Sequence, residues 1–153
     1  MSRLGLKHVT RMRRYKKNQD CAPVRPHPIR ILIADDHPAL CRGLGLMLQQ
    51  ETDLMVVGYA ADGHAAIQLA AELKPDVVIM DGHMPHVNGI EATKRILALL
   101  PSTKVIGFSM RCDSWWISAM LKAGACFCVD KTWQPSKLME TIRACMNNNT
   151  AAF

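Results

Sequence analysis

Short runs of branched apolar residues alternate along the chain with stretches in which apolar residues recur at helical spacing. The runs predict β-strands at 29–33, 55–60, 77–80, 104–109 and 126–129. The helically spaced stretches predict α-helices at about 38–50, 65–73, 90–100, 114–123 and 134–147. At the start of the first helix, Asp36 is the expected N-cap because Pro38 suits the first turn.

The alternation of strands and helices predicts the fold class. Strands that are apolar without interruption are typical of a parallel sheet with both faces covered. Right-handed crossovers then give an α/β, doubly wound (βα)5 sandwich of the flavodoxin-like type, with a five-stranded parallel sheet in the order 2-1-3-4-5.

The composition narrows the class of protein. Of 153 residues, 49% are hydrophobic and 21% are charged, which suits one domain with a tail. No run of 18 apolar residues predicts a membrane span, and no apolar stretch follows the basic start as in a secretory signal. The six cysteines are scattered and form no CxxC pair, so we expect reduced thiols and a cytoplasmic location.

Positive charge is concentrated at the start of the chain. Residues 1–28 hold eight Lys and Arg residues against one acid, a net charge of +7, whereas the rest of the chain sums to −1. We therefore expect a basic, disordered extension at 1–28, a folded domain at 29–147 and a short tail at 148–153. Three interpretations of the extension stay open. It is a disordered solubilising leader, or sequence upstream of the true start codon, or a segment that makes non-specific electrostatic contact with nucleic acid or a partner.

Polar residues stand where the predicted strands end, at the edge where ligands of such sheets bind. The first strand leads into Asp35 and Asp36, and the third into Asp81. The fourth ends in Ser109, and the fifth leads through Asp130 to Lys131.

Three carboxylates at one edge repel each other unless a cation intervenes. Mg²⁺ prefers a few carboxylates and water, and Lys131 supplies a further positive charge. A metal, an amine, a hydroxyl and a central carboxylate together predict a phosphoryl-transfer site with Asp81 as nucleophile.

Four strings carry a resemblance to a known family: I-L-I-A-D-D-H-P, V-V-I-M-D-G-H-M-P, I-G-F-S-M and C-V-D-K. In this order and spacing they resemble the receiver domain of bacterial two-component response regulators, most closely those of the LuxR/FixJ type. The resemblance covers residues 29 to about 147 and does not extend to the helix-turn-helix output domain of such regulators.

The resemblance implies a role for each site residue. Asp81 resembles the phosphoacceptor, Lys131 the lysine that pairs with it, and Ser109 the switch hydroxyl. The Mg²⁺ ligands it implies are Asp35 (mostly through water), Asp36, Asp81 and the backbone carbonyl of His83.

The resemblance also implies partners. Asp81 would receive its phosphoryl group from a sensor histidine kinase or a phosphotransfer protein. The face formed by helix 4, strand 5 and helix 5 would then bind an output protein or form a homodimer. Contact with DNA is expected only through an output domain missing from this chain or through the basic extension. No membrane partner and no enzymatic turnover on a foreign substrate are expected.

One departure from the family keeps alternatives open. Receivers usually carry Tyr or Phe three residues before the lysine, and here that residue is Cys128. A pseudo-receiver that binds a partner without phosphorylation is therefore one alternative. A haloacid dehalogenase type of phosphohydrolase is another, although it wants a second Asp where His83 stands. A DNA-binding regulator acting through the basic extension is the third.

Two residue pairs lie near the predicted switching face. Cys126 and Cys128, two apart, are expected on one face of strand 5 as core filler. Trp115 and Trp116 begin helix 4, and one of them should face outward more than the other, as a candidate partner anchor.

Overall fold

The computed structural model describes residues 25–147. The basic extension predicted at 1–28 lies outside this range except for its last four residues, and the tail predicted at 148–153 lies outside it entirely. Arg25, within the range, donates a hydrogen bond from Nη2 to the carbonyl oxygen of Met146, 2.9 Å away. None of the helices between residues 25 and 147 has the length and apolar character needed to cross a membrane.

Five strands and five helices alternate along the described chain, as the sequence predicts. The strands are β1 (Ile29–Ala34), β2 (Leu54–Ala60), β3 (Val77–Asp81), β4 (Lys104–Ser109) and β5 (Phe127–Asp130). The helices are α1 (Pro38–Leu48), α2 (Gly63–Leu73), α3 (Gly89–Leu99), α4 (Ser114–Ala123) and α5 (Pro135–Met146). The strands form one parallel sheet in the order β2-β1-β3-β4-β5, which confirms the predicted fold class.

Each face of the sheet carries its own apolar cluster. Ile31 and Ile33 of β1 belong to the first cluster, which is covered by α1 and α5. Leu32, between them, belongs to the second cluster, which is covered by α2, α3 and α4. Ile31 and Leu32 are both 0% exposed, and burying each side chain contributes about 1.5–3 kcal/mol. Burial on both faces explains why residues 31–34 of β1 are apolar at every position.

Side-chain caps set the starts of three helices. Asp62 accepts a hydrogen bond from the backbone N–H of Ala65 at 2.7 Å, so α2 begins two residues before the predicted start. Asn88 in the same way caps α3, which begins one residue before the predicted start. Asp113 caps α4 by accepting from the N–H of Trp116 at 2.8 Å.

The predicted N-cap of α1 is wrong. His37, and not Asp36, is the N-cap residue, and no side chain caps this helix. A residue that precedes proline is restricted to extended backbone, and His37 before Pro38 has φ −100° and ψ 97°. The last non-helical residue is therefore fixed next to the proline, and the carboxylate of Asp36 is left for other contacts.

The expectation that Cys126 and Cys128 share a face is also wrong. Cys126 packs against the first cluster and Cys128 against the second. The regular side-chain alternation of a strand applies only within it, and β5 begins at Phe127, one residue after Cys126.

Candidate functional site

The residues singled out from the sequence meet at the carboxyl edge of the sheet. Asp35 follows β1 directly, Asp81 is the last residue of β3, Ser109 is the last residue of β4, and Lys131 follows β5. These strands are neighbours in the order β1-β3-β4-β5. The parallel arrangement therefore brings the ends of four distant segments to one edge.

The three aspartates and His37 form a compact group of atoms that could bind a metal ion. Ligand atoms of Asp35, Asp36, His37 and Asp81 all lie within 4.8 Å of one another. Asp35 and Asp81 are each only 3% exposed, whereas the side chain of Asp36 is 34% exposed. The site therefore has a buried inner part and an open rim at Asp36.

The amine of Lys131 neutralises two of these carboxylates. Its side chain is 4% exposed, hydrogen-bonds Asp35, and has its Nζ atom 3.2 Å from Oδ1 of Asp81. The same Nζ lies 5.6 Å from the centre of the Phe108 ring. The pairing with Asp81 agrees with the expectation from the sequence, whereas the bond to Asp35 was not expected.

Burial dominates the electrostatics of Asp81. Desolvation raises the pKa of the Asp81 carboxyl above its ordinary value, and the nearby carboxylate of Asp35 adds to this rise. The positive charge of Lys131 and a backbone hydrogen bond from His83 oppose it. The site therefore favours a further positive charge beside ionised Asp81.

One oxygen of Asp36 is available for a cation. Oδ1 of Asp36 is buried and has no hydrogen-bond partner, although His37 Nδ1 lies 3.0 Å away. An unpartnered buried carboxylate oxygen is costly, and Mg²⁺ binds carboxylate oxygens. The set of three carboxylates, with an oxygen of Asp36 that accepts no hydrogen bond, fits a hard divalent cation.

His37 is a member of the group that sequence reasoning used only to mark the start of a helix. Asp35 Oδ1 accepts a hydrogen bond from the backbone N–H of His37 at 2.9 Å and lies 3.0 Å from the ring Nδ1. The position of His37 directly after two aspartates is the signal that could have found it.

Ser109 is held in a turn at the end of β4. It is 1% exposed, and its Oγ atom accepts a hydrogen bond from the backbone N–H of Arg111 at 3.2 Å. Its carbonyl oxygen accepts from the N–H of Lys131 at 2.9 Å and from the thiol of Cys112 at 3.5 Å. Ser109 thus connects the β4–α4 loop with the segment that carries the lysine.

His83 lies in the loop that follows Asp81, and its side chain is exposed to solvent. Its assignment as a metal ligand concerns the backbone carbonyl and stays a prediction.

Comparison with known proteins identifies the class. Residues 31–143 match the family described as the response regulator receiver domain. The chain belongs to this family and is the receiver domain of a two-component response regulator.

Its relatives include a transcriptional regulatory protein and a response regulator. The chain is 38% identical to the transcriptional regulatory protein LiaR of Bacillus subtilis over 116 residues, which are 76% of this chain and 55% of LiaR. It is 36% identical over 115 residues to the response regulator GacA of Pseudomonas aeruginosa, covering 75% of this chain and 54% of GacA. The chain thus spans about half the length of the curated relatives it matches.

Solved structures agree with this assignment. The response regulator domain of Thermotoga maritima CheB superimposes with a TM-score of 0.74 at 35% identity, over 79% of this chain and 98% of that one. The signal receiver domain of the putative response regulator NarL from Mycobacterium tuberculosis gives a TM-score of 0.75 at 27% identity, over 78% and 97%.

Proposed function

We propose that Asp81 accepts a phosphoryl group from the phosphohistidine of a sensor histidine kinase or a phosphotransfer protein. A carboxylate oxygen of Asp81 attacks phosphorus, the new P–O bond forms, and the P–N bond to the donor imidazole breaks. The imidazole leaves with the electron pair of that bond and takes up a proton. The observation that supports this proposal is the position of buried Asp81 at the sheet edge, 3.2 Å from the ammonium of Lys131.

Mg²⁺ is the cofactor we propose for this site. Asp36 and Asp81 would hold it directly, Asp35 mostly through water, and the backbone carbonyl of His83 would complete the protein ligands. When bound, the cation neutralises charge on the phosphoryl oxygens during transfer. The unpartnered oxygen of Asp36 supports this assignment.

The chain's own residues position the acceptor. Lys131 opposes the rise in the pKa of Asp81 and orients its carboxylate, and Asp35 holds Lys131 in place. Burial of Asp81 limits access of water, so the acyl phosphate, a mixed anhydride, hydrolyses slowly.

The phosphorylated residue is part of the protein itself, so we propose a signalling switch and not an enzyme with a foreign substrate. We propose that this switch acts in the cytoplasm. Phosphorylation would change the surface formed by α4, β5 and α5, which would bind an output protein or a second copy of the chain. Contact with DNA would come from an output domain of a longer protein or from the basic extension at 1–28. A change of activity requires that phosphorylation favour one state by roughly 1–3 kcal/mol or more.

Incubation with acetyl phosphate and Mg²⁺, followed by intact mass measurement, tests the acceptor. We expect one added phosphoryl group, removable by hydroxylamine, and none in Asp81→Asn. Asp113→Asn is a matched control, because this exposed aspartate caps α4 and asparagine caps as well. Phosphate on a serine or histidine, or an unchanged mass gain in Asp81→Asn, would contradict the proposal.

Calorimetric titration with Mg²⁺ tests the cofactor separately. Asp36→Asn removes one negative charge from the rim, so we expect weaker binding of Mg²⁺ than in wild type and in Asp113→Asn. Equal affinity in all three proteins would contradict the ligand assignment.

A phosphorylation-independent interaction module is the second candidate, favoured by Cys128 in place of an aromatic residue. Wild-type protein that binds Mg²⁺ but gains no phosphoryl group from acetyl phosphate would support this candidate over the first.

A further inference from the structure

The indole of Trp116 fills a space left by three small residues. Trp116, in the first turn of α4, is 2% exposed. A Cβ atom added to Gly82 would overlap the indole Nε1 and would lie 2.7 Å from Cε2. A Cβ atom on Gly107 would lie 2.8 Å from Cη2 of the same ring and 3.2 Å from the thiol sulfur of Cys128. One side chain from α4 thus occupies the space that side chains at Gly82, directly after β3, and at Gly107 of β4 would otherwise take.

The indole N–H has no hydrogen-bond partner. Among the described residues, two buried side-chain polar atoms lack a partner, and these are Trp116 Nε1 and Asp36 Oδ1. Both flank the phosphoacceptor, since Gly82 follows Asp81 directly and Asp36 belongs to the acidic group. Buried donors in folded proteins are nearly always paired, because an unpaired one is costly. An unpaired donor beside a reactive residue can take up an acceptor that arrives in another state.

The strand register indicates Ser109 as a candidate acceptor. Asp81 pairs with Phe108 across β3 and β4, so Gly82 and Ser109 are the next residues along the two chains. Ser109 is two residues after Gly107 and so points to the same face of the sheet, the face covered by α4. Its Oγ accepts from the N–H of Arg111 at 3.2 Å, the long end of the usual range.

We propose that Trp116 is a positioning residue for the response to phosphorylation: its indole N–H donates to Ser109 Oγ once the Ser109 hydroxyl donates to the phosphoryl group on Asp81. This inference rests on the proposed function of Asp81. A hydroxyl that donates to an anion becomes a better acceptor for a second donor. The start of α4 is then tied to Ser109, whose oxygen has two lone pairs and can keep its hydrogen bond from the N–H of Arg111.

The proposal accounts for Cys128. Because the aromatic ring that senses the site comes from α4, a ring at the β5 position is not required for the phosphoryl group to influence the switching face. A larger residue at Cys128 would instead compete with the indole for the space beside Gly107.

The test follows the indole N–H signals by ¹⁵N–¹H NMR in the full chain, with beryllofluoride and Mg²⁺ as a phosphoryl mimic. The Trp116 signal is assigned by its loss in Trp116→Phe, which keeps an aromatic ring and removes the donor. We expect this signal to move downfield on adding beryllofluoride, in wild type and in Trp115→Phe. Trp115 is the matched control, adjacent on the same helix but 72% exposed. In Ser109→Ala the shift is expected to disappear.

Intact mass after treatment with acetyl phosphate is measured on the same proteins. We expect wild type and Trp116→Phe both to gain a phosphoryl group, and the α4 amide shifts of wild type to be reduced in Trp116→Phe. A mass gain with an unmoved Trp116 signal, or an equal shift in Ser109→Ala, would overturn the role of Trp116 and leave Asp81 as the acceptor. No mass gain in wild type would overturn both proposals.

Discussion

Lys131 donates a hydrogen bond to Asp35, a residue 96 positions earlier in the chain, and reaches Asp81 with the same ammonium group. The three side chains are almost fully buried. A buried cation between two carboxylates offsets their mutual repulsion, and removing it leaves charges that the interior solvates poorly. The lysine therefore has a structural role besides its place in the phosphoryl site.

Lys131→Met should lower the free energy of unfolding by about 3 kcal/mol, because both carboxylates lose their cation. Mg²⁺ should restore part of this loss, since it supplies positive charge to the same oxygens. Urea denaturation with and without Mg²⁺ measures both effects. Lys122→Met, at an exposed position, is the control and should change stability by no more than about 0.5 kcal/mol. Equal losses in the two variants would show that the contacts of Lys131 with Asp35 and Asp81 do not contribute to the free energy of unfolding.

Arg143 of α5 ties the helix to the segment before β2. Its Nε and Nη2 donate to Asp53 at 2.8 Å, and Nη2 also donates to Glu51 at 2.7 Å. The hydrogen bond from Arg143 lowers the pKa of Asp53 below its ordinary value. An acid whose pKa is lower in the folded state adds stability above its unfolded pKa and loses it as pH falls through the folded value.

Arg143→Ala should therefore cost about 1 kcal/mol at pH 7, a modest figure because these side chains are a third to a half exposed and screened by solvent. The difference from wild type should shrink below about pH 4, as Asp53 becomes protonated. Urea denaturation across this pH range measures it. Arg95→Ala, which breaks an exposed pair with Glu91 within α3, should cost less. A difference that stays constant with pH would contradict the role of Asp53.

Cys126 should be the reactive thiol of a pair with Cys145. A hydrogen bond from the Cys145 thiol lowers the pKa of Cys126 to about 6, with a smaller contribution from Lys104. Burial raises the pKa of Cys128 to about 11. At pH 7, Cys126 should be alkylated by iodoacetamide well before Cys128, as peptide masses would show, because the thiolate is the nucleophile.

Cys145→Ala should slow alkylation of Cys126 near pH 7 by about tenfold or more, because the pKa of Cys126 would return from about 6 toward the ordinary thiol value of about 8.5, where only a small fraction is thiolate at pH 7. Cys41→Ala, which removes a buried thiol of α1, is the control and should leave the rate unchanged. A rate that is the same in both variants would mean that Cys145 does not stabilise the thiolate.

The features of the fold that could be predicted are those that a single stretch of sequence encodes. A strand buried on both faces is apolar along its buried length, so the runs at 31–34 and 77–80 are recognisable in isolation. Parallel strands end at the same edge, so residues at or just after their ends, such as Asp81 and Lys131, are expected to meet without any knowledge of side-chain packing.

The features that were missed depend on contacts between distant segments. Pro38 fixes the backbone of His37 and so places the helix cap. It does not fix the imidazole ring, whose position beside Asp35 could not be predicted. The burial of Trp116 depends on side chains that are absent at Gly82 and Gly107, which periodicity along α4 does not record.

Gly82→Ala should destabilise the protein through Trp116. The added methyl group would overlap the indole Nε1 and approach Cε2 to 2.7 Å, and overpacking of this kind costs about 1–3 kcal/mol. Gly43→Ala is the matched control, because a Cβ there meets no atom within 4 Å. In α1 it should stabilise by about 0.5–1 kcal/mol, since alanine is the better helix former.

The double variant Gly82→Ala/Trp116→Phe separates this packing from a backbone effect. Phenylalanine lacks the nitrogen-bearing edge that the methyl group would meet, so the combined loss should be smaller than the sum of the single losses by at least about 0.5 kcal/mol. Urea denaturation of the four proteins in the cycle measures the coupling. Strictly additive losses would mean that alanine at position 82 acts on the backbone after Asp81, and that the indole does not depend on the glycine.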